Sequence, residues 1–264
     1  MIWAIISVFL LGLFMHMLMS LFDEDGSKIN RALGALFLLI LDFCKKHIKI
    51  LSFIVTLLSI YIFIFLIFLL RTLPSLGIEF HETNYSINYL NVSDEIFYVQ
   101  SVGNCAAYSI MGVINILTAV KTDPEILAKE IGWRINRNST FPQGLINLLH
   151  RYNIKTKEYS LRLYTDNEKI TWLRSQIDDG YPVIILVRVA NIQHYVTVLG
   201  YDRNGFMLYD SDQERQEDNP RRSIVDKEDL AGNRYYTNDE LIRIWNNGGM
   251  GIFFRNWAVV CYIS

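Results

Sequence analysis

An uninterrupted apolar run at residues 50–70 constrains this chain more than any other feature. Its letters are ILSFIVTLLSIYIFIFLIFLL, and none of these residues carries a formal charge. A helix of about 20 apolar residues is long enough to cross the hydrocarbon core of a bilayer. The alternative is a helix buried in the core of a soluble domain. We interpret the run as a transmembrane helix.

A second uncharged stretch lies at residues 2–22. It has no basic segment before it and no small-residue cleavage site after it, so a membrane span is favoured over a cleaved signal peptide. Residues 32–41 are also apolar, but this run stops at Asp42 and suits an interfacial or re-entrant segment. Residues 1–72 are therefore predicted to form a membrane anchor with two transmembrane helices, and three is the alternative.

Basic residues near the span predicted at residues 50–70 indicate its orientation. Lys45, Lys46 and Lys49 precede it, whereas Arg71 alone closely follows it. Because positive charge is enriched on the cytoplasmic side of membrane proteins, the lysine side is predicted to be cytoplasmic. The chain is thus expected to be a multi-pass membrane protein in contact with the lipid bilayer. Everything after the span is expected outside the cytoplasm.

Charge and cysteine content exclude other classes. The formal net charge is −2 and the basic residues form no stripe, so a nucleic-acid partner has no electrostatic support. The three cysteines are Cys44, Cys105 and Cys261, without a CxxC pair or a Cys/His cluster at zinc-ligand spacing. No metal site is expected. Cys44 and Cys261 lie in or beside apolar segments and are interpreted as small buried hydrophobes.

The rest of the chain has the pattern of a soluble domain. Pro74 and Gly77 end the span predicted at residues 50–70, and residues 73–97 form a polar, tyrosine-rich connector. Within residues 98–264, helical periodicity and helix-start signals come first, and β-branched runs follow. The Asn204-Gly205 pair predicts a hairpin. Helices followed by antiparallel strands predict an α+β domain. The helices are expected at about residues 105–120, 123–132, 142–152 and 166–179, and the strands at about 181–189, 194–202, 206–210 and 257–263.

Cys105 stands at the predicted start of the first of these helices, after Asn104, a residue that can cap a helix. The positive end of a helix and a neighbouring imidazolium both lower the pKa of a thiol. A thiolate is the nucleophile that cysteine enzymes require. The alternative is a cysteine that is merely packed at a helix start. We interpret Cys105 as a candidate nucleophile.

His194 is the candidate base, because it opens a strand beside the predicted hairpin. Asp210 closes the return strand, and a carboxylate bonded to an imidazole fixes its tautomer and stabilises its charged form. An ideal two-residue turn would place Asp210 opposite Leu199, roughly 15 Å along the strand from His194. A longer loop or a β-bulge is therefore required. Asp212 is the second candidate for this orienting role, and Asp202 is the third.

Gln100 is the candidate side-chain donor to an oxyanion. It lies five residues before Cys105, and its amide could stabilise the negative charge that forms when a thiolate attacks a carbonyl. The backbone N–H of Cys105 would be the second donor. An exposed loop residue without a catalytic role is the alternative.

Four segments together resemble papain-like cysteine peptidases related to the bacteriocin-processing, double-glycine leader peptidases. They are QSVGNCAAYSIMGVINIL, IDDGYPVIILV, HYVTVLGYDRNGFMLYDSD and DELIRIWNNGG, and the resemblance covers about residues 98–263. It implies a Cys at a helix start, a His at a strand start and an orienting Asp sixteen residues later, which is Asp210. Two departures stand out: Asn104-Cys105-Ala106 replaces Asp-Cys-Gly, and Gln100 is five rather than six residues before the cysteine.

These observations predict a membrane-anchored cysteine peptidase with a papain-like domain. Cys105, His194 and Asp210 would form its triad, and a thioester would be its intermediate. The expected substrate is a peptide or protein, secreted or membrane-associated, and no cofactor is required. Two alternatives stay open: a papain-fold acyltransferase or amidase that uses the same triad, and an inactive module that binds peptides.

Overall fold

The computed structural model describes residues 38, 42, 45–83, 85–135, 139–227, 231–250 and 253–263. The chain divides into two units after Leu70, and each is described by itself. The predicted span at residues 2–22 lies outside the described residues. The same holds for Cys44 and for the apolar stretch at residues 32–41, apart from Leu38.

Helix α1 (Ile48–Arg71) covers the apolar run. Among the described residues it is the one helix long and apolar enough to cross a membrane, with a mean hydropathy of 3.0 over Ser52–Leu70. None of its most apolar window is buried, and Phe53, Tyr61 and Phe63 are each about two-thirds exposed, at 64%, 66% and 65%. A helix that is apolar on every side suits lipid better than water. The predicted helix is confirmed; its place in a bilayer stays a prediction.

The second unit is an α+β domain built on one antiparallel sheet. Its helices are α2 (Cys105–Thr118), α3 (Pro124–Glu130), α4 (Pro142–Arg151), α5 (Asp166–Asp178) and α6 (Asn238–Asn246). Its strands are β1 (Ile87–Tyr89), β2 (Arg134–Ile135), β3 (Ser139–Thr140), β4 (Lys155–Ser160), β5 (Val183–Val189), β6 (Ile192–Asp202), β7 (Gly205–Tyr209), β8 (Arg234–Thr237) and β9 (Trp257–Tyr262). Within the described residues, seven strands form the sheet in the order β4-β9-β5-β6-β7-β8, and β1 pairs with β6.

The four helices predicted in the second unit are confirmed as α2 to α5, and the four predicted strands as β5, β6, β7 and β9. Local chemistry explains several of the boundaries. The Asp123 side chain accepts a hydrogen bond from the N–H of Glu125 and so caps α3, and Pro124 occupies the first turn, where its missing N–H costs nothing. Thr165 and Glu168 form a capping box at the start of α5.

Other elements were not predicted. Strand β4 is polar (KTKEYS) and lies at the edge of the sheet, so its sequence lacks the apolar alternation that marks a strand. Helix α6 carries a readable signal, since Thr237 and Glu240 have capping-box spacing and form that box. Residues 73–97, interpreted as a connector, contribute β1, in which Asn88 pairs with Tyr201.

The core lies between the sheet and helices α5 and α6. Trp172 and Leu173 of α5 and Trp245 of α6 are fully buried against apolar side chains of the strands. Helix α2 packs on β6, where the hydroxyl of Ser109 donates to the carbonyl of Tyr195 at 3.3 Å. This contact sets the first turn of α2, which begins at Cys105, beside the start of β6.

Candidate active site

Cys105 is the first residue of α2 and is partly buried. The helix starts where the sequence predicts, and Asn104 occupies its N-cap position. Asn104 makes no side-chain capping hydrogen bond. Its Oδ1 instead accepts from Nη2 of Arg134 at 2.7 Å, and its Nδ2 donates to Oγ of Ser101 at 2.6 Å. The side chain of Asn104 thus holds the loop before the cysteine and does not cap the helix.

Arg134 is a component of the site that the sequence did not reveal. Its guanidinium donates to the carbonyls of Gly103 and Ala128 as well as to Asn104, and so joins β2 to the approach of α2. Burial lowers the pKa of Arg134, while the nearby Cys105 thiolate acts in the opposite direction. A positive charge therefore lies within electrostatic range of the thiol.

His194 and Asp210 are both buried and in direct contact. Nε2 of His194 lies 2.7 Å from Oδ1 of Asp210, and the exposed fraction of each residue is 4%. The Cys105 thiol lies close enough to the ring for each of the two groups to shift the pKa of the other. Because Nε2 is bonded to the carboxylate, Nδ1 is the nitrogen left for the thiol. Cys105, His194 and Asp210 are the residues that the sequence predicts as nucleophile, base and orienting group, and His194 lies between the other two.

The strand register explains how Asp210 reaches His194. Tyr201 pairs with Phe206, so the connection is two residues longer than an Asn204-Gly205 two-residue turn. A β-bulge then leaves Leu199 without a partner on β7, because Val198 pairs with Leu208 while Gly200 pairs with Met207. Together these shifts move Asp210 by three positions, to lie opposite Val196. His194 is then two residues further along the strand, a diagonal that long side chains can span.

Asn233 holds Asp210 from the other side. This fully buried residue precedes β8; its Oδ1 accepts from the N–H of Asp210 at 2.8 Å, and its Nδ2 donates to the Asp210 carbonyl at 2.7 Å. Nδ2 also donates to Oγ of Ser223 at 2.7 Å. The side chain of Asn233 thus satisfies both backbone groups of Asp210. No sequence signal marked this residue, because its role depends on contacts made across 23 residues of chain.

The three groups shift one another's pKa. Burial alone would raise the pKa of Cys105, but the hydrogen bond and charge of His194 outweigh it, and backbone hydrogen bonds at Tyr195 and Ala106 add to the lowering. Burial lowers the pKa of His194, yet Asp210 and the thiolate raise it well above its ordinary value. Asp210 is likewise buried, but His194 holds its pKa below the usual range. Both shifts, a lower pKa for the thiol and a higher pKa for the imidazole, act in the direction of a thiolate beside an imidazolium.

The other cysteine within the described part of the chain behaves oppositely. Cys261 in β9 is fully buried, and burial raises the pKa of its thiol. This fits the interpretation of Cys261 as a packing residue.

The remaining site candidates are bonded to groups other than the His194 ring. Asp212 is exposed; its N–H donates to Oδ1 of Asp210 at 2.9 Å and its own carboxylate accepts from Nε2 of Gln100 at 3.3 Å. The Gln100 side chain also accepts from Oγ of Ser211 at 3.2 Å. Asp202 accepts from the N–H groups of Asn204 and Gly205, both at 2.8 Å, and thereby shapes the hairpin connection. Among the described residues, no group of three or more His, Cys, Asp or Glu side chains could hold a metal ion.

An α+β domain with a helix-start thiol beside a buried imidazole and carboxylate has the architecture of a cysteine peptidase. A family model described as the Peptidase_C39 like family matches residues 89–240, more than half of the chain. The chain belongs to this family, and it is a cysteine-type peptidase. This family match confirms the resemblance that the sequence indicated.

Solved structures similar to this chain include the following three. A Bacillus anthracis protein described as a C39-like peptidase is 12% identical, with a TM-score of 0.45 over 66% of this chain and 97% of its own. A double glycine motif protease from an AMS/PCAT transporter, in complex with the leader peptide, is 13% identical, with a TM-score of 0.43 over 67% and 95%. The peptidase domain of Streptococcus ComA, a bi-functional ABC transporter, is 14% identical, with a TM-score of 0.42 over 64% and 99%. At these scores the likenesses add no functional detail. No curated protein matches the chain.

Proposed function

We propose that this cysteine peptidase is tethered to a membrane and cleaves peptide bonds with Cys105 as nucleophile, His194 as acid and base, and Asp210 as the orienting carboxylate. The observation that carries the proposal is the 2.7 Å contact between His194 and Asp210 beside a thiol whose pKa is lowered by the same imidazole. The pKa of each group is shifted in the direction that the first step of the reaction needs.

The reaction begins when the Cys105 thiolate attacks the scissile carbonyl carbon and a tetrahedral oxyanion forms. The His194 imidazolium gives its proton to the leaving nitrogen, the C–N bond breaks, and an amine departs. A thioester to Cys105 remains. His194, now neutral, takes a proton from water, whose oxygen attacks the thioester; the carboxylic acid product leaves and the thiolate is restored. Asp210 stabilises the charged imidazole in both halves of the cycle.

Gln100 is the proposed side-chain donor to the oxyanion, together with the backbone N–H of Cys105. The amide nitrogen of Gln100 carries two N–H groups, and its contact with Asp212 uses one of them. The second N–H is the one that would donate to the oxyanion. Such a donor acts mainly in the transition state and leaves the thiol pKa unchanged.

Tethering is proposed through α1, whose exposed apolar side chains require lipid or a partner of similar polarity. The other span, predicted at residues 2–22, and the extracytoplasmic location of the domain belong to the same proposal. Substrates would then be peptides or proteins at the membrane or secreted past it.

The test uses the full chain in detergent with a diverse library of synthetic peptides, and new termini are read by mass spectrometry. Wild type and Cys105→Ala are compared, and Cys261→Ala removes a buried thiol elsewhere as the control. We expect new termini with wild type and Cys261→Ala and none with Cys105→Ala. Cleavage that persists in Cys105→Ala would refute the assignment. If added glycinamide is captured in preference to water, acyl transfer rather than hydrolysis is the reaction.

A further inference from the structure

A wide polar cleft borders Gln100, the proposed oxyanion donor. Its volume is about 510 Å³, which falls within the range of about 300–1,000 Å³ that ligand sites occupy. The lining residues come from the segments at 98–101 and 121–125, from the loop between β7 and β8, and from Tyr108 of α2. The cleft thus joins the approach to Cys105 with a loop that has no part in the proposed reaction.

The acidic side chains of this cleft already accept hydrogen bonds from neutral donors. Oε1 of Glu125 accepts from the hydroxyl of Ser101 at 2.8 Å and from the hydroxyl of Tyr108 at 2.7 Å. Oδ1 of Asp123 accepts from the N–H of Glu125 at 2.9 Å. Neither carboxylate forms an ion pair within the described part of the chain, so neither neutralises the basic groups around it.

Two basic side chains and one hydroxyl in the wall have no such partners. Lys121 is paired with Glu95. Within the part of the chain that the structure describes, however, the guanidinium groups of Arg215 and Arg221 form no hydrogen bond or ion pair. The buried hydroxyl of Thr122 also has no hydrogen-bond partner among these residues. Because each guanidinium carries five N–H donors, the cleft offers an excess of donors and of positive charge.

Backbone contacts hold both arginines in place. Arg215 pairs with Ser223 in an antiparallel bridge across the loop between β7 and β8. The N–H of Val99 donates to the carbonyl of Arg221 at 3.0 Å, which places this arginine beside the residue that precedes Gln100. A ligand would therefore meet a loop that is already ordered, and binding would cost less conformational entropy.

We propose that this cleft binds an acidic side chain, Asp or Glu, of the substrate within a few residues of the scissile bond. The inference rests on the proposed function, because Gln100 borders the cleft and in that proposal also donates to the oxyanion. A carboxylate can accept two parallel hydrogen bonds from one guanidinium, which a neutral amide cannot do. An extended peptide advances about 3.3 Å per residue, so a residue a few positions from the cleaved bond can enter the cleft.

Charge reversal distinguishes this site from a general effect of positive charge. Arg215→Glu and Arg221→Glu should lower kcat/KM for a peptide with Glu near the cleaved bond and raise it for the matched peptide with Lys. Arg221→Lys keeps the charge but loses the paired donors, so it should retain only part of the preference for Glu. Arg255 is exposed and does not line the cleft, so Arg255→Glu is the control with the same change in net charge.

Two measurements on the full chain in detergent test the proposal. The first compares kcat/KM for peptides that carry Glu, Gln or Lys at each position within about four residues of the cleaved bond. The second needs no peptidase step. It measures, by fluorescence anisotropy, how tightly Cys105→Ala binds fluorescein-labelled Gly-Ala-Glu-Ala-Glu-Ala-Gly and the same peptide with Gln in place of Glu.

We expect wild type to prefer Glu over Gln by roughly five- to tenfold at one position, and Cys105→Ala to bind the Glu peptide more tightly by a similar factor. Both preferences should shrink when the salt concentration is raised roughly tenfold, because salt screens exposed charges. Arg215→Glu and Arg221→Glu, also made in the Cys105→Ala protein for the binding measurement, should abolish them. Arg255→Glu should change neither.

The outcomes separate the two proposals. Cleavage that depends on Cys105 but proceeds at equal rates with Glu, Gln and Lys overturns the acidic-residue site and leaves the peptidase assignment standing. Tighter binding of the Glu peptide that both cleft variants abolish, without cleavage of any peptide, supports the site and contradicts the proposed reaction. A preference for Glu that Arg255→Glu reduces as much as the cleft variants do comes from net charge alone, and it also overturns the site.

Discussion

Replacing Asn233 by Leu tests whether the backbone around Asp210 is what positions the candidate triad. The substitution keeps a side chain of similar size but removes two hydrogen bonds to Asp210 and one to Ser223. The N–H of Asp210 then lies buried without a partner, at about 1–3 kcal/mol, and its carbonyl keeps only the longer hydrogen bond from the N–H of Gln213, at 3.4 Å. Burial of the leucine offsets part of this loss. We expect the free energy of unfolding to fall by roughly 2–4 kcal/mol.

The second expected effect is electrostatic. If Asp210 moves away from His194, the imidazolium loses its stabilising charge, the pKa of His194 falls and that of Cys105 rises. The midpoint of the pH dependence of Cys105 alkylation should therefore shift upward relative to wild type. Unfolding by urea is followed by tryptophan fluorescence, since Trp172, Trp245 and Trp257 are fully buried.

Val260→Ala is the control for stability alone. Val260 is buried in the core of the sheet, and its truncation costs roughly 1–3 kcal/mol without touching the candidate site. It should lower stability and leave the alkylation midpoint where it is in wild type. If Asn233→Leu lowers stability in the same way but leaves the midpoint unchanged, Asn233 does not position Asp210, and the reasoning is refuted.

The remaining predictions concern charge and transition-state contacts. Asp210→Asn should reduce kcat by roughly 10³–10⁴ and raise the alkylation midpoint of Cys105, because the imidazolium loses its counter-ion; a change below tenfold would contradict the orienting role. The pH profile of kcat/KM should be bell-shaped, with an acid limb below the ordinary thiol range as Cys105 is protonated and an alkaline limb above the ordinary histidine range as His194 loses its proton. A single limb would count against the ion pair. Gln100→Ala should lower kcat by about 10²–10³ with an unchanged alkylation midpoint, and wild-type kcat would remove Gln100 from the mechanism.

Local sequence patterns were sufficient for much of the fold. The apolar run at residues 50–70, the helix starting at Cys105 and the β-branched strand at Val183–Val189 were all predictable, since periodicity, capping residues and side-chain branching act over a few residues. The polar edge strand β4 could not be predicted from local patterns, because it is stabilised by pairing with β9, more than 90 residues away.

The contact between His194 and Asp210 depended on geometry that no local pattern records. The spacing of the residues and the family resemblance favoured Asp210, yet an ideal hairpin would have kept it away from the imidazole. A longer connection shaped by Asp202 and a bulge at Leu199 remove that conflict. Asn233, which holds the Asp210 backbone, arrives from a distant segment. Sequence determines which residues have the chemistry for a site, whereas non-local pairing sets the register, and a shift of one residue along a strand moves a side chain by about 3.3 Å.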